Sequence, residues 1–276
     1  MDIATLEQFL SSYVEQSPDN HVRASYALDQ SFVGTQLFER PLVRVADAHD
    51  PLFLRIHNEK HILGPEFKLP EQWLPEAFRV ISICFPLSGA VVQSNAETPL
   101  ERPSDLWLHA RIEGQRFIEA TTRALAHWIK DEGYEATIPS QSPSFTVKKK
   151  DTYTLGEPLY MSSWSERHVA FVAGMGTFDL TAHLITPAGK AMRLASIVTT
   201  APLDVTPRPY GDDPFAYCTH CGACIARCPQ NAITPAGKDV EKCSAFLDQS
   251  KELYYPRYGC GKCQVGLPCT FGIPRR

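Results

Sequence analysis

Eight of the nine cysteines in this chain fall between Cys218 and Cys269, and no other feature restricts the fold as tightly. Thiolates are soft metal ligands. In a reducing compartment, crowding of this kind favours metal ligation over disulfides. The N-terminus, Met1-Asp2-Ile3-Ala4-Thr5, has neither the basic start nor the apolar core of a secretion signal, so a cytoplasmic setting is expected. The ninth cysteine, Cys84, stands alone in the apolar run 80–85 and reads as a small core side chain.

The spacing names the metal group. Cys218-x2-Cys221-x2-Cys224-x3-Cys228-Pro229 is the run that holds [4Fe–4S] clusters in bacterial ferredoxins. Three thiolates at spacing three wrap one loop around a cubane. The fourth lies too far round to close the same cluster and serves the other one. A zinc site would need only four cysteines, commonly as two separated C-x2-C pairs, and fits the full set poorly. The downstream set is Cys243, Cys260, Cys263 and Cys269. Eight thiolates make two clusters with none left over. Cys218, Cys221, Cys224 and Cys269 are expected at the first, and Cys228, Cys243, Cys260 and Cys263 at the second. Cys269 departs from the usual repeat: five residues separate it from Cys263, and Pro268 precedes it. His220 is the nearest other ligand. Lys238, Lys242, Lys262 and Arg227 lie among the cysteines, either to offset cluster charge or as ordinary surface cations.

About 200 residues precede the clusters, far more than a two-cluster module needs. Apolar residues at helical spacing predict a helix over 3–16, ended before Pro18. The runs 42–45 and 52–56 predict a strand pair, and 78–85 a strand buried on both faces. Ser104 is expected to cap a long helix over about 105–132, with Gly114 a place for a kink and Gly133 a terminator. A strand over 134–138, a loop with one strand over 139–163, a helix over 165–173, a strand over 192–199 and a linker over 202–214 complete the reading. Mixed strands and helices over 1–205 predict an α/β (α+β) domain, with a ferredoxin-like domain over 206–276. No stretch approaches the roughly 20 apolar residues of a membrane helix, and the net charge of −4 gives no general affinity for nucleic acid.

The segment Trp164-Ser-Glu166-Arg167-His-Val-Ala170-Phe-Val-Ala173-Gly174-Met-Gly176-Thr-Phe resembles the E-R-x-x-A-x-x-A-G-[LM]-G segment of epoxyqueuosine reductases. The likeness continues through Leu184-Ile185 and 195–203 into the cysteine runs, with Cys243-Ser244 and Tyr258-Gly259-Cys260. A fainter match lies at 79–82. The resemblance implies a nitroreductase-like domain that binds base-off cobalamin, related more distantly to reductive dehalogenases. It places Gly174, Met175, Gly176, Thr177, Phe178, Ser196 and Ser244 against the cobalamin. Tyr160 stands where that family has its catalytic aspartate, and is the candidate proton donor. The family's C-terminal helical repeats, which help hold transfer RNA, are expected to be lacking.

The expected activity is reduction of a small substrate by cobalamin fed through two [4Fe–4S] clusters. Electrons would come from an external donor of the reduced ferredoxin or flavodoxin type. Two alternatives stay open: an electron-transfer or corrinoid-handling protein with no substrate of its own, and a cluster protein with no corrinoid. His168 is a candidate contact beside Glu166-Arg167, or simply packed.

Overall fold

The structure, a computed structural model, describes residues 1–155 and 157–275. Helix α1 (Ile3–Gln16) starts where Asp2 accepts the Thr5 N–H at 2.8 Å, and it buries Leu6, Leu10 and Val14. Strand β1 (Leu42–Asp47) follows. The run 52–56, expected as a strand, belongs instead to helix α2 (Pro51–Asn58). Asp50 accepts the Leu52 N–H at 3.0 Å, and Pro51 occupies the first turn, where its missing N–H costs nothing. Cap and proline outweigh the apolar, strand-like character of so short a run.

Strand β2 (Arg79–Pro86) leads to helix α3 (Gly89–Glu97), which Ser88 caps and which the sequence reading did not contain. Helix α4 (Asp105–Asp131) begins at Ser104, whose hydroxyl accepts from the Trp107 N–H at 3.2 Å. It runs unbroken through Gly114. That glycine makes room for a ring: a Cβ there would fall 2.9 Å from Phe38. Gly133, at φ +89°, turns the chain after the helix. Strand β3 (Ala136–Thr137) lies within the expected span. The region 139–163 holds two paired strands, β4 (Val147–Lys149) and β5 (Tyr160–Ser162), where one was expected. Helix α5 (Glu166–Val172), a second small pair β6 (Thr177–Phe178) and β7 (Leu184–Ile185), and strand β8 (Met192–Thr199) follow.

The main sheet is antiparallel, in the order β1-β2-β8-β3. Successive side chains of β2 point to opposite faces. Ile81, Ile83 and Phe85 join one core with α1, α4, Val43, Val45 and Ile197. Val80 and Cys84 join another with α2, α5, Trp164 and Val198. A sheet with an apolar layer on each face explains why β2 is buried almost end to end.

The stretch 202–214, expected as a linker, is packed down. Leu203 and Tyr210 are buried, and the Thr206 hydroxyl donates to the Ala173 carbonyl at 2.8 Å. Beyond it lie helix α6 (Ala223–Ala226), the pair β9 (Ile233–Thr234) and β10 (Gly237–Lys238), and helix α7 (Val240–Tyr254). This C-terminal part docks on α3 and α4 through buried polar groups. Arg257 donates to both Glu113 oxygens, at 2.9 and 3.2 Å, and His109 lies 3.0 Å from the same carboxylate. Burial raises the Glu113 pKa, but hydrogen bonds from His109 and Arg257 win and hold it below the ordinary carboxylate value.

Candidate cluster and cofactor site

The eight cysteines of the C-terminal part separate into two sets of four around two neighbouring cavities. Cys218, Cys221, Cys224 and Cys269 line the smaller one. Cys228, Cys243, Cys260 and Cys263 line one end of the larger one. Each set opens on a void. Among the described residues, no three His, Cys, Asp or Glu side chains converge as ligands of a single metal ion. A cubane spaces its thiolates around a larger body, and this donor set fits it.

Local backbone geometry produces the first set. His220 (φ +52°) and Gly222 (φ +74°) lie in the left-handed region, turning the chain between successive cysteines before α6. Cys269 arrives from the far end of the chain, in spite of its unusual spacing. The Leu267 N–H donates to the Thr270 hydroxyl at 2.8 Å, which tightens the turn around it. The Cys269 carbonyl accepts the Lys190 N–H at 3.0 Å. Gly189 lets the two backbones meet there: a Cβ would fall 2.1 Å from the Thr270 carbonyl oxygen. His220 lines the same cavity, with its ring near Phe215.

The second set is held by the N-terminal domain. Cys228 accepts the Ala232 N–H at its sulfur, 3.3 Å away, and Cys243 lies on α7. The Cys260 carbonyl accepts from Asn95 at 2.9 Å. Gly261, at φ +69°, packs so closely on Trp107 that any Cβ would overlap the indole. Lys262 is fully buried and donates to the Asn95 and Thr98 carbonyls at 2.7 and 2.9 Å. Of the other cations noted in the sequence, Lys238 lines the larger cavity. Arg227 reaches the Lys262 and Ala96 carbonyls, and Lys242 is exposed beside Asp239. Burial raises the Cys224 and Cys269 thiols to about 11 and Cys260 to about 12, while nearby Lys190 pulls the first two down. Metal binding must therefore displace the protons of these thiols.

The larger cavity holds about 490 Å³, within the range of small-molecule and cofactor sites. Its other walls come from α4 (Trp107, Arg111), α5 (Glu166, Arg167) and β8 (Met192, Arg193). Glu166 receives a hydrogen bond from the Ser196 hydroxyl at 2.6 Å. Burial raises its pKa, against the hydroxyls of Ser196 and Ser140. Lys190 is the one residue that lines both cavities. Its ammonium is fully buried against Asp179 and lies 3.2 Å from the Thr181 hydroxyl. Burial disfavours the charge, but Asp179, followed by the nearby cysteines, raises the Lys190 pKa.

Several residues that the resemblance placed against a cobalamin line neither of the two cavities beside the cysteines. None of Gly174, Met175, Gly176, Thr177 and Phe178 lines either cavity. Gly174 faces the Pro207 carbonyl and Gly176 the Ile185 carbonyl, each too close for a Cβ, so these glycines serve chain packing. Ser196 is buried in the sheet, bonded to Trp164 and Glu166. Tyr160 and Ser244 bond each other across the domain contact at 2.9 Å, and neither lines the larger cavity. His168 is packed, 2.8 Å from the Ser165 hydroxyl and with its ring near Phe178. Arg111, His183, Lys190 and Arg193 were not singled out by the sequence reading. Cations far apart in sequence carry no local signal of a shared wall.

Residues 215–234 match the family model described as a 4Fe-4S binding domain. The chain is 32% identical over 152 residues to an epoxyqueuosine reductase of Staphylococcus aureus (strain NCTC 8325 / PS 47), covering 50% of this chain and 36% of that one. It is 31% identical over 162 residues to an epoxyqueuosine reductase of Synechococcus sp. (strain RCC307), covering 55% and 44%. Both matches thus span less than half of the relatives' own length. Among solved structures, an epoxyqueuosine reductase with an epoxyqueuosine-modified tRNA-Tyr stem loop superposes with a TM-score of 0.51 at 18% identity. It covers 99% of this chain and 68% of that one. A catabolic reductive dehalogenase gives 0.51 at 16%, covering 84% and 30%. The mixed α/β fold with its C-terminal ferredoxin-like region is shared with both families.

Proposed function

We propose that this chain is an iron–sulfur oxidoreductase that carries two [4Fe–4S] clusters, binds cobalamin in the larger cavity and reduces a small molecule there. The observation that carries the reading is the division of the eight cysteines between two adjoining cavities, the larger of which extends past its cysteines to walls from α4, α5 and β8. Cys218, Cys221, Cys224 and Cys269 hold one cluster, and Cys228, Cys243, Cys260 and Cys263 the other. The second set shares its cavity with the cofactor, which suits direct electron delivery. The first set faces the opposite side of Lys190 and suits uptake from a reduced ferredoxin or flavodoxin type of donor.

Bound cobalamin would supply a strongly reducing cobalt centre. The protein's own share is position, exclusion of water and a proton. Trp107, Met192 and Leu194 give the cavity apolar wall. Glu166 is the group placed to give a proton: it lines the cavity and its carboxyl is held above the ordinary pKa by burial. It takes the role that the resemblance gave to Tyr160. The acidic net charge speaks for a small substrate over a nucleic acid. Among the described residues, no helix is long and apolar enough to cross a membrane.

The test is anaerobic expression with cobalamin supplied, followed by iron and corrin analysis. About eight irons with stoichiometric corrin support the reading. About eight irons with no corrin overturn the cobalamin part, and zinc in place of iron overturns the whole.

A further inference from the structure

The larger cavity is far more basic than the chain around it. Arg111, Arg167, Arg193, Lys190 and Lys238 line it, against a net charge of −4 for the whole protein. Among the described residues that line it, the only carboxylate is Glu166. Lys190 is compensated by Asp179, and the others make no salt bridge among the described residues, although Asp179 also acts on Arg167 and Glu119 on Arg193 from further away. Arg167 donates to the Ala182 carbonyl. Arg193 donates to the amide oxygen of Gln115. Arg111 stacks on Tyr258, its guanidinium carbon 4.2 Å from the ring centroid, and its buried Nε has no hydrogen-bond partner. Lys238 has no side-chain partner among the described residues.

Concentrating like charge in a partly enclosed space is unfavourable unless something anionic shares it. Burial, and after it Arg111, press the Arg193 pKa down to about 10. Cluster thiolates at the end of the cavity offset part of the charge. They do not account for Arg111 and Arg193, two guanidinium groups on one wall with no carboxylate at salt-bridge distance among the described residues.

We propose that Arg111 and Arg193 form an oxyanion subsite in this cavity, which takes a carboxylate or phosphate group. Planar guanidinium groups match both anions with paired N–H donors. The group has two sources: an acidic small-molecule substrate, or the phosphate in the nucleotide tail of the bound corrinoid. The subsite rests on the reading of this cavity as the reaction site, but its test does not need turnover.

The experiment uses anaerobically purified, cluster-loaded protein and its Arg111→Gln, Arg193→Gln and Lys238→Gln variants, with iron content as the check on folding. Lys238 lies outside the subsite and its side chain makes no hydrogen bond or salt bridge among the described residues, so Lys238→Gln controls for the loss of any one cavity charge and should weaken binding less than either arginine variant; the wild-type titrations keep the test informative if an arginine variant misfolds. Benzoate and inorganic phosphate are titrated by calorimetry at low salt. Cobalamin and cobinamide, which lacks the phosphate, are compared by equilibrium dialysis. The subsite is supported if benzoate or phosphate binds and each arginine variant weakens it by about tenfold or more; this result assigns it to the substrate. It is equally supported if the variants weaken cobalamin by that factor and leave cobinamide unchanged; this assigns it to the corrinoid tail. It is overturned if wild type binds neither anion while both corrinoids bind wild type and variants alike. A shift in cluster potentials with no change in binding also overturns it, because the cations would then serve the cluster alone. Absence of any corrin binding would count against the proposed cofactor and leave the anion titration standing as its own answer.

Discussion

Cys269 is the proposed ligand whose spacing departs furthest from the usual repeat, so it carries the sharpest test of the proposed cluster assignment. It lines the same cavity as Cys218, Cys221 and Cys224, while Cys263, on the same stretch of chain, lines the other. Each cubane holds four irons, so losing one cluster takes the content from about eight to about four per chain. Cys269→Ala and Cys218→Ala should each bring that loss. The double variant Cys218→Ala/Cys269→Ala should lose no more than either single one, because both residues serve one cluster. Cys263→Ala/Cys269→Ala should instead approach zero. The assay is iron and acid-labile sulfide per chain under strict anaerobiosis, with paramagnetic resonance of the reduced protein to count clusters. A His220→Ala control should retain about eight irons. The assignment fails if Cys263→Ala/Cys269→Ala retains about half the iron, or if Cys218→Ala/Cys269→Ala loses nearly all of it.

Lys190→Gln leaves Asp179 buried without its partner. It should cost about 3–5 kcal/mol, and Lys190→Gln/Asp179→Asn should recover much of that, read as apparent Tm at one scan rate; equal losses in both variants would refute the pair's role. Gly189→Ala forces a Cβ onto the Thr270 carbonyl at a residue with φ +85°. It should push Cys269 out of place and reduce iron to about four per chain, and full iron content would show that the contact relaxes cheaply. His168 has its pKa lowered to about 3 by burial and then by Arg167, against an unfolded value near 6.5. The unfolded chain therefore binds the extra proton first, so this group's stability is whole above about pH 6.5 and is lost as pH falls toward 3. The loss approaches about 1.4 kcal/mol per pH unit. Apparent Tm between about pH 6.5 and 5 should fall less steeply in His168→Asn than in wild type, and parallel slopes would refute the assignment.

Sequence alone determined what local chemistry can determine. Cysteine spacing specified iron–sulfur ligation and split the ligands into two sets, because bond geometry limits which thiolates on a short loop reach one cubane. Apolar spacing over 3–16, the cap at Ser104 and the doubly apolar run of β2 specified the main helices and the central strand, because those signals lie within a few residues of what they specify. The helix at Pro51–Asn58 was legible in Asp50-Pro51 and was missed because the following run is rich in apolar residues. Sequence assigned Cys269 to the first set despite its spacing, and only the tertiary structure showed what holds it beside that set: the close approach at Gly189 and a backbone bond from Lys190. Likewise the close backbone packing at Gly174 and Gly176 became visible only there, and Arg111 on α4 and Arg193 on β8 came together as one wall. Contacts between residues so distant in the chain depend on how the sheet and long helix pack, and packing leaves no short-range pattern in the sequence.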